Sequence, residues 1–295
     1  MKIMITGGKG QLGKDCTEVL QKSHDIISID VDDLDITNFP DVETRAKSFA
    51  PDYIINCAAY TQVDACETHK EAAWNVNVKG PENLARCVEK HGGTLIHIST
   101  DYVFDGEKNP PDPYYEEDTV HPVSVYGRTK LEGERIIRAT TSRHIILRTA
   151  WMYGVHGRNF IKTLLSLSLK NPRTQLKVVN DQFGSPTWSY RLALQIAHCI
   201  GKPIEGIYHA TSEGYCTWYE LICYFLNKMD VPHTIIPCST EEYPTPATRP
   251  KNSILENRQF KRHDLNIMKD WHDDIDQFID QYRQRLFDEA QREVS

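Results

Sequence analysis

The 295-residue sequence lacks several features that would each define a class of protein. It has no run of 18 or more apolar residues, the length that a membrane-spanning helix requires, and the segment before the first glycine is too short for a signal peptide. It has no Lys/Arg run or basic patch, and its net charge is −7. We therefore expect a cytoplasmic protein that binds neither membranes nor nucleic acid.

The eight cysteines also lack the spacing of a ligand set. None forms a Cys-x-x-Cys pair, and none has histidines at a spacing typical of zinc sites. Reduced and mostly buried thiols are therefore expected. What the sequence does contain is an ordinary globular composition, with 40% hydrophobic and 25% charged residues, in a chain long enough for two unequal domains.

A glycine-rich loop follows the first predicted strand, 2–6, and leads directly into a predicted helix. Its glycines satisfy both Gly-x-x-Gly-x-x-Gly and, counted from Gly8, Gly-x-Gly-x-x-Gly. Small residues at such a turn let backbone amides and the helix N-terminus approach a pyrophosphate closely. The sequence therefore predicts a dinucleotide site at Gly7, Gly10, Gln11, Leu12 and Gly13.

Acidic and small residues follow the next two predicted strands. Asp30 lies about 20 residues beyond the glycine loop, where an acid usually binds the ribose hydroxyls of NAD and disfavours the 2′-phosphate of NADP. Asp35 lies in the same acidic turn, in which any carboxylate can also be simply solvated. Ala58 and Ala59 follow the third strand and leave room for a cofactor, although a tight turn explains them equally well. We expect NADH or NADPH as cofactor, with a mild preference for NADH.

Tyr126 and Lys130 are four residues apart and would share one face of a helix. An ammonium beside a phenol favours the phenolate, so this tyrosine is a candidate proton donor and acceptor. Thr100 ends a predicted strand, and ligands of parallel α/β sheets lie at the carboxyl ends of strands. We predict that Thr100 and Tyr126 converge on one substrate oxygen. A second such pair, Tyr224 and Lys228, has no glycine loop or hydroxyl-bearing strand end near it and is interpreted as a chance copy.

Strands and helices alternate up to a strand predicted at 144–148. This pattern is typical of an α/β protein with a Rossmann-type doubly wound parallel sheet. We place an NAD(P)-binding domain at 1–150, joined by part of 175–204. A smaller C-terminal α/β substrate lobe is expected at 151–295, interleaved with the first domain.

These residues resemble the extended short-chain dehydrogenase/reductase family and, within it, the dTDP-4-dehydrorhamnose reductases. The resemblance covers nearly the whole chain and is carried, beyond the glycine loop, by the segments 57–64, 99–104, 125–131, 148–154, 181–187 and 249–253. It implies the last step of dTDP-L-rhamnose synthesis, in which NADH or NADPH reduces the C4 ketone of dTDP-4-dehydro-6-deoxy-L-mannose.

The resemblance also implies a role for each site residue. Hydride would reach C4 from the nicotinamide while Tyr126 protonates the oxyanion and Thr100 binds the C4 oxygen. Lys130 would lower the pKa of Tyr126 and hold the nicotinamide ribose, and Tyr60 would join the cofactor site. The sugar and the nucleotide diphosphate would be bound by Val63, Asp101, Trp151 and Arg249.

Family members that dimerise through magnesium use acidic residues, one of them just after the glycine loop, where this chain has Asp15. A second acidic ligand is replaced by Tyr190. We therefore expect no metal site, with Asp15 as a weak candidate, and a monomer or weak homodimer. Two alternatives share the fold and cofactor: a sugar-nucleotide dehydratase or epimerase, and a non-catalytic relative like the regulatory β subunit of methionine adenosyltransferase. Dehydratases typically carry Glu where this chain has Tyr102.

Overall fold

The structure is a computed structural model that describes residues 1–294, and thirteen strands are found among them. They are β1 (Lys2–Thr6), β2 (Asp25–Ile29), β3 (Tyr53–Asn56), β4 (Thr94–Thr100), β5 (His144–Thr149), β6 (Met152–Tyr153), β7 (Gln175–Val179), β8 (Phe183–Gly184), β9 (Thr187–Trp188), β10 (Gly206–His209), β11 (Cys216–Thr217), β12 (Thr234–Cys238) and β13 (Asn252–Ser253). Six of them form the main sheet, in the order β10-β5-β4-β3-β1-β2.

Every neighbouring pair in the main sheet is parallel, so all carboxyl ends lie at one edge. The strand order reverses between β3 and β2, with β1 in the middle, which is the arrangement that opens a ligand crevice at this edge. In β1, Ile3 and Ile5 pack into the core on one face of the sheet while Met4 packs into the core on the other. The predicted fold class, a Rossmann-type doubly wound parallel sheet, is confirmed.

Helices cover both faces of this sheet and build the smaller lobe. They are α1 (Gln11–Leu20), α2 (Phe39–Phe49), α3 (Val63–Cys66), α4 (Lys70–Trp74), α5 (Gly80–His91), α6 (Val125–Thr140), α7 (Phe160–Lys170), α8 (Ser189–Cys199), α9 (Trp218–Lys228), α10 (Arg258–Arg262) and α11 (Trp271–Val294). A π-helical stretch, Asn75–Lys79, joins α4 to α5, and Pro81 lies in the first turn of α5. Because proline has no N–H, the regular hydrogen-bond ladder cannot pass through it.

The chain crosses back into the main sheet after residue 150. The returning segment is Ser189–His209, in which α8 packs on α1 and β10 pairs with β5. The sequence predicts this return in part of 175–204. Helix α8 lies in the second half of that range, whereas β7, at its start, pairs with β12 away from the main sheet. Strand β10 lies in the range given to the smaller lobe but joins the main sheet, because it pairs with β5.

The smaller lobe has its own apolar core, formed by α7, α9 and α11 together with β9. Trp188, Phe225 and Phe278 are almost fully buried there. Since this core is separate from those of the main sheet, the lobe can hold its own side of a crevice at the strand ends. Among residues 1–294 no helix combines the length and the apolar character needed to cross a membrane.

Candidate active site

The glycine loop forms a tight turn against the end of β3. Gly7 has a φ of +69°, and a Cβ added there would lie 2.6 Å from the backbone nitrogen of Ala58. Gly13 is equally restricted, because an added Cβ would collide with the carbonyl of Gly7. Helix α1 begins after Gly10 without a side-chain cap, so its first N–H groups are free to bind an anion. These features fit a dinucleotide pyrophosphate.

A cavity of about 840 Å³ lies at the carboxyl ends of the strands, next to this loop. Its lining contains nearly every residue that the sequence singled out: Gly7, Gly10, Gln11, Leu12, Gly13, Asp30, Asp35, Ala58, Ala59, Tyr60, Val63, Thr100, Asp101, Tyr126, Lys130 and Trp151. The exceptions are Arg249 and the weak metal candidate Asp15. The volume is in the range of cavities that bury a whole small-molecule ligand.

Asp30 is fixed directly after β2 by two backbone groups. Its Oδ2 accepts a hydrogen bond from the backbone nitrogen of Lys9 at 2.8 Å, and its Oδ1 accepts one from that of Val31 at 2.8 Å. The Lys9 side chain turns away to form an exposed ion pair with Asp32 at 2.7 Å. The Asp30 carboxylate is thus held at the cavity wall. The Lys9 ammonium can leave Asp32 for another anion, because their ion pair is exposed to solvent.

Tyr126 lies in the first turn of α6, whose N-terminus is capped by Ser124. Thr100 and Tyr126 both line the cavity, and the Thr100 hydroxyl donates a hydrogen bond to Asp101 Oδ1 at 2.8 Å. Burial, and then the Asp101 carboxylate, raise the pKa of Tyr126 above its usual range. This is opposite to the lowering that was expected from Lys130. Burial also raises the pKa of Asp101, to about 6.

Lys130 lies one helical turn after Tyr126 and is only 2% exposed. Its Nζ donates a hydrogen bond to the carbonyl of Ile98 at 2.7 Å and lies 3.4 Å from His97 Nε2. Burial lowers the pKa of Lys130 to about 8, although the charges of Glu134 and Cys57 act in the opposite direction. The lysine therefore titrates much closer to neutral pH than a free lysine does.

A buried ion pair supports the end of β4 from behind. Arg148 binds Glu134 through two hydrogen bonds, of 2.9 and 2.7 Å, and Ser99 donates a third to the same carboxylate at 2.5 Å. The Arg148 and Glu134 side chains are 3% and 2% exposed. Because Ser99 precedes Thr100, this network fixes the strand end from which Thr100 projects.

Trp151 forms an aromatic wall on the side of the smaller lobe. It has a φ of 46°, which is unusual for a residue with a side chain, and its ring stacks on Trp218 at 3.6 Å with an interplanar angle of 9°. Gly184 lies so close to the ring that a Cβ there would collide with it. The indole is therefore held in one position by contacts on both sides, although its backbone is strained.

Arg249 lies outside the cavity lining. Its guanidinium donates to both oxygens of Asp64, at 3.0 and 2.9 Å, and to the carbonyl of Ala247 at 3.0 Å. Asp64 also accepts from the backbone nitrogen of Ala247 and follows Val63, which does line the cavity. Arg249 is thus tied to the rim of the cavity by a carboxylate partner.

The structure adds two residues to the cavity wall that the sequence analysis did not assign to the site. Tyr102 lines the cavity, and its ring packs edge-on against Tyr126, with centroids 5.5 Å apart. Arg158, an exposed cation, lines the cavity next to Asn159, which donates to Gln11 of α1 at 2.9 Å. The signal for Arg158 was its place in the run Gly157-Arg158-Asn159, which begins three residues after the segment 148–154.

Asp15 is buried near two other possible metal ligands. Its Oδ2 accepts from Ser189 at 2.5 Å, its Oδ1 lies 3.7 Å from His156 Nε2, and burial raises its pKa to about 6. Asp15, Glu18 and His156 are the one group of three such ligands among the described residues, with ligand atoms within 4.8 Å of one another. Tyr190, next to Ser189, packs against Trp188. The metal assignment stays a prediction.

The fold and this set of side chains define an NAD(P)-dependent oxidoreductase of the short-chain dehydrogenase/reductase class. The family model described as RmlD substrate binding domain matches residues 1–284, and the chain belongs to that family. A dTDP-4-dehydrorhamnose reductase from Aggregatibacter actinomycetemcomitans is 41% identical over 270 residues, which are 86% of this chain and 90% of that relative.

Solved structures give the same result. A dTDP-4-dehydrorhamnose reductase from Clostridium acetobutylicum matches with a TM-score of 0.91 and 41% identity, over 96% of this chain and 100% of that one. A dTDP-4-dehydrorhamnose reductase from Bacillus anthracis, in complex with NADP, matches with a TM-score of 0.91 and 35% identity, over 95% and 99% of the two chains.

Proposed function

We propose that the protein reduces the C4 ketone of dTDP-4-dehydro-6-deoxy-L-mannose with NADH or NADPH and forms dTDP-L-rhamnose. The observation that carries this proposal is that Thr100, Tyr126 and Lys130 line the same cavity as the glycine loop. A ketone bound at Thr100 and Tyr126 is therefore beside the expected cofactor. The names of the family relatives supply the substrate class.

Tyr126 is the proton donor in this proposal. Its raised pKa keeps the phenol protonated at neutral pH, which is the form that a reductase needs. When bound, the nicotinamide supplies the hydride to C4. As negative charge develops on the ketone oxygen, the Thr100 hydroxyl turns from Asp101 to donate to that oxygen and orient it. Tyr126 transfers its proton, a general-acid step typically worth about a hundredfold or more in rate.

The residues that hold the cofactor surround the loop. Gly7, Gly10, Gln11, Leu12 and Gly13 contribute backbone and helix N-terminal groups for the pyrophosphate, and Asp30 and Asp35 face the adenosine side. Ala58, Ala59 and Tyr60 form the floor after β3. The Lys130 ammonium holds the nicotinamide ribose and stabilises the phenolate that Tyr126 leaves behind.

The sugar nucleotide lies between the two parts of the chain. Val63 and Asp101 bound it on the sheet side, and the Trp151 indole bounds it on the side of the smaller lobe. Arg249 meets the diphosphate from the rim. The Arg249 guanidinium is already hydrogen-bonded to Asp64, so the diphosphate displaces this carboxylate or shares the guanidinium with it. Charge-assisted hydrogen bonds to phosphate are strong enough to compete with the carboxylate.

A dehydratase or epimerase activity is disfavoured by the same geometry. Tyr102 packs against the catalytic tyrosine at the position where dehydratases carry Glu, so no carboxylate is available there for C5 and C6 chemistry. Reduction consumes one cofactor molecule in each turnover. A dehydratase or epimerase instead regenerates its bound NAD and consumes none from solution.

The test is a spectrophotometric assay at 340 nm with the dTDP-4-keto-6-deoxy sugar epimerised at C3 and C5 in situ. We expect NADH or NADPH to be consumed in proportion to dTDP-L-rhamnose formed. Absorbance that stays constant, together with binding to a methionine adenosyltransferase, would replace this proposal by the regulatory one. We also propose a cytoplasmic monomer or weak homodimer, which sedimentation over a range of concentrations tests.

A further inference from the structure

A chain of buried polar side chains lies behind Lys130, and the proposed mechanism does not use it. Thr6, Asn56 and His97, from three neighbouring strands, are each at most 1% exposed. Thr6 donates to Asn56 Oδ1 at 2.8 Å, Asn56 Nδ2 lies 3.0 Å from His97 Nδ1, and His97 Nε2 lies 3.4 Å from Lys130 Nζ. Fully buried polar groups are costly unless each one is satisfied, so the direction of every hydrogen bond matters.

The backbone of Ala58 decides these directions. Its N–H donates to Asn56 Oδ1 at 3.1 Å, and a backbone N–H cannot accept in exchange, so the amide oxygen of Asn56 must face it. The amide nitrogen then faces His97 and donates to Nδ1. Burial holds the pKa of His97 well below its usual range, so the ring is neutral and carries one proton. With Nδ1 accepting, that proton is on Nε2.

The Nε2–H therefore points at the nitrogen of Lys130. An ammonium has only donors, so it meets this N–H unfavourably, whereas a neutral amine has a lone pair that accepts it. The amine still keeps an N–H for the carbonyl of Ile98. We propose that His97 is a positioning residue for Lys130: its ring presents Nε2–H to Nζ and thereby favours the neutral amine over the ammonium.

The other groups around Nζ act in known directions. Glu134, on the same helix, and Cys57, after β3, favour the ammonium. The Glu134 charge is largely taken by Arg148, which binds it through two hydrogen bonds. Tyr126, on the preceding turn, is an uncharged phenol before the reaction. Burial opposes the ammonium, and in this proposal the His97 Nε2–H opposes it as well.

The consequence for turnover rests on the proposed function, in which the ammonium is the active form of Lys130. Activity is then lost as the pH rises through the pKa of Lys130, which is about 8. His97 sets the position of this basic limb. Removing the Nε2–H raises the pKa of Lys130 and moves the limb to higher pH, an effect that a merely structural histidine would not have.

The first test measures the ring and the lysine directly in the full-length, cofactor-free protein. Nitrogen-15 NMR of His97 is expected to show a protonated Nε2 and a bare Nδ1. Carbon-13 NMR of the lysine Cε atoms, with the Lys130 signal assigned from Lys130→Arg, follows its titration. In His97→Gln the side-chain oxygen can turn to Nζ, so we expect the pKa of Lys130 to rise by about one unit or more.

Three further variants distinguish the effect of the His97 tautomer on the pKa of Lys130 from the effects of burial and of lost folding. His97→Leu removes the N–H without supplying an acceptor and should give a smaller rise. Asn56→Asp offers an acceptor to Nδ1, so it should move the ring proton from Nε2 to Nδ1. His144→Gln, at the amino end of the neighbouring strand, is the matched control for loss of a mostly buried histidine and should leave the titration of Lys130 unchanged.

A wild-type His97 with a bare Nε2 would overturn the proposal, and this measurement needs no variant to fold. An unchanged Lys130 titration in folded His97→Gln and His97→Leu would overturn it as well. Neither readout needs the sugar nucleotide. Failure to reduce dTDP-4-dehydro-6-deoxy-L-mannose would therefore refute the proposed function alone, whereas these results refute the role of His97 alone.

Discussion

The chain contains two Tyr-x-x-x-Lys pairs on helices, and the structure surrounds them very differently. Tyr126 and Lys130 face the cavity at the strand ends, together with the glycine loop. Tyr224 and Lys228, on α9, both bind one carboxylate of α11: the Tyr224 hydroxyl donates to Asp276 at 2.8 Å, and Lys228 donates to it at 2.7 Å. The second pair thus connects two helices of the smaller lobe, α9 and α11, at the protein surface.

The two lysines also differ in the direction of their pKa shifts. Burial lowers the pKa of Lys130 to about 8, whereas the hydrogen bond and charge of Asp276 raise the pKa of Lys228. Four-residue spacing places two side chains on one helix face but does not decide their chemistry. Their neighbours decide it, and matched substitutions at the two pairs test this difference.

The largest expected effect is on turnover. Tyr126→Phe removes the phenolic proton but keeps the ring, so kcat should fall by about a hundredfold or more while cofactor affinity stays nearly constant. The measurement is steady-state and single-turnover reduction, with fluorescence titration of NADH or NADPH. Tyr224→Phe is the matched control and should change kcat little. General-acid catalysis by Tyr126 is untenable if its Phe variant keeps more than about a tenth of wild-type kcat with chemistry rate-limiting.

The comparison also shows which parts of the molecule the sequence predicts. The strand, glycine turn and helix from Lys2 to Leu20 are contiguous, so a local pattern was sufficient. Tyr126, Lys130 and Thr100 were found because strand ends of a parallel sheet meet at one edge, even for residues far apart in the chain. The Tyr224 pair was set aside because its surroundings in the sequence lacked such an end.

What the sequence could not predict depends on contacts between distant segments. Arg249 was expected at the diphosphate, but its ion pair with Asp64 joins residues 185 positions apart. The hydrogen bond between Asn56 and His97 spans 41 positions, and a buried histidine in a strand gives no signal of its partner. The four-residue strand β10 is too short for its pattern to reveal which sheet it joins.

A second prediction compares the ion pairs beside the two sites. Glu134→Ala leaves Arg148 charged and buried without its partner, so the free energy of unfolding should fall by about 3–5 kcal/mol. Asp276→Ala removes the exposed partner of Lys228 and Tyr224 and should lower the free energy of unfolding far less. Urea unfolding at pH 7 measures both. Similar losses in the two variants would show that Arg148 finds solvent or a new partner.

A third prediction uses the pH dependence of stability. Because the folded pKa of Lys130 is lowered, the unfolded chain binds more protons between about pH 8 and 10.5, the pKa of an unperturbed lysine. The stability of the wild-type protein therefore increases as the pH rises through that window. Any stability advantage of Lys130→Met over wild type should therefore shrink from pH 8 to pH 10. Lys228 has a raised folded pKa, so its contribution to stability is fully present below its unfolded pKa and is lost as the pH rises through its folded pKa. Urea unfolding from pH 8 to pH 10 compares Lys130→Met with Lys228→Met. If the free energy of unfolding changed with pH in the same way in both variants, the two lysines would not differ as stated.

The last and smallest effect concerns the choice between NADH and NADPH at the cavity that Tyr126 and Asp30 line. The carboxylate of Asp30 accepts from ribose hydroxyls but repels a 2′-phosphate, so we expect a modest preference for NADH, or use of both cofactors. Asp30→Ala should lower the ratio of kcat/KM with NADH to kcat/KM with NADPH by about threefold to tenfold, the scale of one partly exposed charge.

This ratio is measured because Asp30 also holds the backbone of Lys9, and loosening that loop affects the binding of both cofactors equally. Asp25→Ala, an exposed carboxylate at the other end of β2, is the control and should leave the ratio unchanged. A wild-type enzyme at least tenfold better with NADPH would mean that Asp30 does not face the ribose, and that Lys9, after leaving Asp32, binds the 2′-phosphate instead.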